Sequence, residues 1–112
     1  MIVTVTPQIL NEAMCVYVQT FSMRDRLTQH IARCGLEEHE EEIVAELDAV
    51  LKTAEEHLFN YPGGVPWTKA FDEAYRKMLV VKHPWLDSKS LGRVFSFSHW
   101  LCWHEGLNAQ GV

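Results

Sequence analysis

Four helix-stopping signals divide this chain, and they constrain its fold more than any other feature. They fall at Gly35-Leu36, at Asn60-Tyr61-Pro62-Gly63-Gly64-Val65-Pro66, at His83-Pro84 and at Gly106-Leu107. Glycine takes the left-handed conformation that ends a helix, and the residue before proline avoids the helical region. The segments between these stops run 28, 24, 17 and 18 residues in the ranges 7–34, 37–60, 66–82 and 88–105. Each is long enough for a helix, and two begin with strong start signals. Thr6 precedes Pro7 and Asp87 precedes Ser88, so each segment opens with a side-chain cap. Val5 with Leu10, and Leu86 with Leu91, occupy the staple positions that fix a helix entry. Gly35 followed by Leu36 predicts a closing motif in which Leu36 packs back on Ile31.

The segment 37–60 shows the clearest two-faced pattern. Ile43, Leu47, Val50, Leu51, Ala54 and Leu58 share one side, and Glu38, Glu41, Glu42, Glu46, Asp48, Lys52, Glu55 and Glu56 share the other. In the third segment, Trp67, Phe71, Ala74, Met78 and Val81 are spaced by four, three, four and three, which predicts its buried seam. The first segment, taken as one straight helix, would be about 42 Å long. A bend around Ser22–Arg24 or a protruding oligomer arm is therefore expected, because a compact domain of this size has a radius near ~13 Å. Ile2-Val3-Thr4-Val5 alternates weakly and reads as a short extended arm. The expected architecture is all-α: a single domain over 1–112, with four helices in two αα-hairpins around a Trp-rich core.

Composition excludes several classes. Apolar residues make up 47% of the 112 and charged ones 22%, enough apolar surface to offset chain entropy. No run approaches the ~20 apolar residues of a membrane span. The N-terminal residues lack the basic and apolar regions of a signal peptide. The three cysteines, Cys15, Cys34 and Cys102, are odd in number and widely spaced, unlike a disulfide framework. A cytoplasmic protein with reduced thiols and no membrane contact is the expectation. The net charge of −5 argues against general nucleic-acid binding. That charge is unevenly placed. Residues 37–56 carry nine acids and one base, a net −8, while the other 92 residues carry a net +3.

No motif for catalysis emerges. Glu-x-x-His, His-Glu-x-x-His and Cys-x-x-Cys are missing, Ser96-Phe97-Ser98-His99 lacks the glycines of a nucleophile elbow, and Gly63-Gly64 lacks the Lys of a phosphate loop. Neither a catalytic residue, a cofactor nor a metal ligand set is assigned. Two surfaces remain. Glu38, Glu41, Glu42 and Glu46 form an acidic face suited to a basic protein partner. The last helix is apolar around most of its circumference, so Phe97, Trp100, Trp103 and His104 are expected to exceed what one core can hold and to meet a partner or a second copy. Together they predict a small non-enzymatic interaction module: an inhibitor, regulator or adaptor. The competing expectation is a small-molecule or metal-binding bundle using His99, Cys102 and His104.

Overall fold

The computed structural model describes residues 5–19 and 23–109. Five α-helices follow one another: α1 Pro7–Tyr17, α2 Arg24–Arg33, α3 Glu40–Phe59, α4 Lys69–Lys82 and α5 Ser88–Glu105, with a 3-10 turn at Glu37–His39 leading into α3. Among the described residues no helix is long and apolar enough to cross a membrane. The expected extended arm at Ile2–Val5 falls largely outside the described residues.

Local chemistry sets most boundaries. Thr6 caps α1 by accepting from the Ile9 N–H at 3.2 Å, and Asp87 caps α5 by accepting from the Ser90 N–H at 2.8 Å. Leu86 and Leu91 are both buried, as a staple at the α5 entry requires. At the end of α2, Gly35 sits at φ 69, and the Leu36 N–H reaches the Ile31 carbonyl at 3.0 Å. This is the predicted closing motif. Gly106 ends α5 in the same way, at φ 67, with the Leu107 N–H on the Cys102 carbonyl at 2.8 Å.

Three boundaries differ from expectation. The segment 7–34 is two helices rather than one. Val18 leaves the helix with extended backbone, φ −112 and ψ 109, and the Met23 N–H closes onto the Tyr17 carbonyl at 2.7 Å. The reversal lets α2 lie against α1, which buries Val18, Leu27 and Ile31 completely or nearly so. Ser22, where the expected bend begins, falls outside the described residues, and the capping position of α2 is Met23 with no side-chain bond. The third helix starts at Lys69 rather than Pro66, because Trp67 takes φ 50, a left-handed value no helix accommodates. Its cap is Thr68, accepting from the Phe71 N–H at 3.1 Å. The second helix opens through the 3-10 turn rather than directly.

The core is one apolar cluster drawn from all five helices. On α3 every predicted inward residue, from Ile43 to Leu58, is buried. The seam of α4 is corrected to Phe71, Tyr75 and Leu79, while Ala74 is exposed and Val81 is 68% exposed. Tyr75 buries more area than Ala74 or Val81 could, and its hydroxyl finds a buried partner in Ser98 at 2.7 Å. That choice rotates the helix.

Helix α1 lies against α2, α3 and α5, and α3 also meets α4 and α5. Helices α4 and α5 are joined by large side chains, Tyr75 to Phe95 at 5.2 Å, and Trp67, just before α4, also reaches Phe95 at 6.4 Å. The molecule is elongated, 53 × 26 × 20 Å, with a radius of gyration of 14.9 Å.

Candidate functional site

The acidic face stands on α3 and the turn before it. The inward stripe from Ile43 to Leu58 fixes the rotation of the helix, so Glu38, Glu41, Glu42 and Glu46 all project into solvent. Their partners are few. His39 Nδ1 lies 3.6 Å from Glu42, and Lys52 lies 4.0 Å from Glu56 at an exposed surface where such pairs contribute little. Beside this face, between α1 and α3, lies an open cleft of about 440 Å³ lined by Tyr17, Asp48, Leu51, Lys52 and Glu55. Its wall is set by the Tyr17 hydroxyl donating to Asp48 at 2.6 Å. The floor is apolar Leu51, and the rim carries two carboxylates and one ammonium.

The aromatic helix divides into a buried and an exposed part. Phe97 is only 5% exposed and belongs to the core, so a partner does not reach it. Trp100 is half-buried, between Phe97 at 6.3 Å and His104, on which it stacks at 4.9 Å. His104 is exposed and lies 3.2 Å from Glu105. Trp103 is 73% exposed, the most exposed large apolar side chain among the described residues.

His99, Cys102 and His104 do not converge. His99 stacks on Trp67 with centroids 3.7 Å apart and planes at 22°. Cys102 is fully buried, and desolvation pushes its thiol up to about 11. His104 lies against Trp100. Among the described residues no three His, Cys, Asp or Glu side chains gather where a metal ion could be held. Cys15 is half-buried and Cys34 exposed, both free thiols.

Two arrangements escaped the sequence reading. Trp67 is held in its left-handed conformation by a clamp. Its indole N–H donates to Asn108 Oδ1 at 2.8 Å, and Val65 pairs with the segment after α5 through Val65 N–H to Leu107 O at 2.8 Å and Ala109 N–H to Val65 O at 3.0 Å. A β-carbon at Gly64 would meet Ala109 Cα at 2.8 Å, so glycine is needed for that approach. The second is a pair of half-buried histidines between α3 and α4. His57 stacks on Tyr75 at 5.3 Å. His83 Nε2 lies 2.9 Å from Thr53 Oγ1. The Thr53 hydroxyl already donates to the Ala49 carbonyl at 2.9 Å, so His83 is the donor. Burial, then the Lys82 ammonium, hold His57 below the ordinary histidine range. Burial also lowers His83, with Glu46 opposing and Lys82 reinforcing.

Comparison with known sequence families, curated proteins and solved structures finds no match to any of them.

Proposed function

We propose that this chain is a small non-enzymatic interaction module, an inhibitor, regulator or adaptor, that docks a basic protein partner. The observation that carries the reading is the acidic face of α3 and the turn before it, where Glu38, Glu41, Glu42 and Glu46 are all exposed, on a molecule that also exposes Trp103 at the end of α5. A tryptophan that is 73% exposed leaves apolar area in water that association would remove. The acidic face supplies steering: Glu38, Glu41, Glu42 and Glu46 concentrate negative potential where a basic surface is attracted and oriented. The cleft at Tyr17 and Leu51 suits the stem of a lysine or arginine from that partner, its charged head toward Asp48 and Glu55.

The test is affinity capture with the native chain, with a Glu41→Lys, Glu42→Lys, Glu46→Lys triple variant and with Trp103→Ala, the captured proteins being identified by mass spectrometry. The expected result is a basic protein held by the native chain, lost from the triple variant and weakened by salt of about 0.5 M, where screening is within a few ångströms. Capture unchanged by both variants would overturn the proposal.

A further inference from the structure

Helix α5 carries a strip that the described residues leave open to solvent, except at its edge, where one face of His99 is covered by the Trp67 ring. At about 100° per residue, Gly92, Ser96, His99 and Trp103 fall within a strip about 60° wide, and all four are exposed. Its composition is unusual at both ends. Gly92 sits inside the helix with no left-handed angle, and a β-carbon there would meet nothing within 4 Å. The monomer therefore gives no reason for glycine, a residue that weakens a helix interior. Trp103, eleven positions on, is the opposite: a large ring with 73% of its surface in water.

These two ends are complementary to each other across a two-fold axis. We infer that a second copy of this chain covers the strip, with the two α5 helices packed antiparallel and Trp103 of each seated over Gly92 of the other. The axis lies between Phe97 and Ser98. Gly92 precedes that point by as much as Trp103 follows it, and Ser96 precedes it by as much as His99 follows it. One register thus places each large ring over a hole and each imidazole over a small hydroxyl. Such a contact is isologous and closes at two copies. On the flank of the strip, the half-buried Arg93, whose guanidinium donates to Gln19 Oε1 at 3.1 Å, borders the stacked Trp100 and His104 of the second copy.

The area fits a weak dimer. A tryptophan buries roughly 150–250 Å², so two Trp103 rings supply about a third of the ~1,000 Å² a specific interface needs. The flanking His99, Trp100 and His104 of both copies supply much of the rest. This deepens the proposed reading by naming the partner of α5, and it leaves the acidic face of α3 free for the basic partner.

The full chain is examined by sedimentation equilibrium from about 1 µM to about 1 mM, a range that brackets weak interfaces. A monomer–dimer equilibrium is expected. Gly92→Leu fills the hole and Trp103→Ala removes the knob, and each is expected to raise the dissociation constant at least tenfold. Circular dichroism melting reports the fold separately: Gly92→Leu melts no lower than the native chain, because its side chain enters open space. The Glu41→Lys, Glu42→Lys, Glu46→Lys variant dimerises as the native chain does. A native chain that stays monomeric to about 1 mM overturns the inference, and so does a dimer insensitive to Gly92→Leu. If Trp103→Ala instead abolishes capture of a foreign protein by a monomeric chain, the occupant is that protein and not a second copy. Loss of capture in the triple glutamate variant bears only on the basic partner, so the two readings fail separately.

Discussion

Asn11 joins the start of α1 to the turn between α4 and α5. Its amide donates to the Pro7 carbonyl at 2.9 Å and to the Trp85 carbonyl at 2.7 Å, and its carbonyl accepts from the Asp87 N–H at 3.0 Å. Asn11→Ala leaves two of these backbone groups unpaired in a largely buried place. It is expected to lower unfolding free energy by about 2–3 kcal/mol, read from urea denaturation. Tyr75→Phe removes a smaller link, the buried hydroxyl bond to Ser98, and is expected to cost about 1 kcal/mol by the same measurement. Neither residue was legible in the sequence. The bonds of Asn11 span 74 and 76 positions, and only the folded chain brings them together. The caps at Thr6 and Asp87 were legible because each partner lies three residues away.

Between elements, two half-buried histidines stand at the α3–α4 contact. His57 and His83 both titrate below 6.5 when folded, so the unfolded chain binds more protons as pH falls through that value. Their stabilisation is complete above about pH 6.5 and is lost as pH drops through the lowered folded values. Thermal melting between pH 7.5 and 5.5 is expected to show a falling midpoint. His57→Phe, which keeps a ring against Tyr75, combined with His83→Gln, which keeps a donor for Thr53, flattens that slope. The elements themselves were partly legible. The α3 face followed from periodicity alone, because polar and apolar residues segregate cleanly there. The seam of α4 did not, since two apolar stripes compete and the choice was made by Tyr75 meeting Ser98 on another helix. The break after Tyr17 was legible only as a bend that the segment's length demanded; that the helix stops there and restarts at Arg24 was hidden, because the break is closed by backbone bonds and by α2 returning to α1.

For the whole molecule, the charge of −5 is a poor descriptor, since the net −8 of residues 37–56 lies along one helix and the turn before it. That these carboxylates are exposed was legible, because an amphipathic helix fixes which side meets water. The sequence reading overestimated the aromatic surplus of α5: Phe97 entered the core, while Trp103 stayed outside. Hydrophobicity alone could not separate them, since the division depends on where α1 and α3 lie.

The clamp at the end of the chain is a matter of timing as well as shape. Trp67 donates to a residue 41 positions later, and Val65 pairs with residues that follow α5. During synthesis, Trp67 is made 41 residues before its partner Asn108. The indole of the left-handed Trp67 gains its stack on His99 and its hydrogen bond to Asn108 only once α5 and the segment after it are present, so the connection between α3 and α4 is among the last parts to set. Gly64→Ala, which brings a β-carbon onto Ala109 and strains a residue at φ 88, is expected to release this closure with a cost of more than ~1 kcal/mol. In a chain that keeps Trp67 as its one tryptophan, with Trp85, Trp100 and Trp103 changed to Phe, indole fluorescence is expected to lag the far-ultraviolet helix signal in refolding, and Gly64→Ala in that background is expected to remove the late phase. The tail thus acts as a latch on order of assembly, fastening a turn that local sequence leaves undecided.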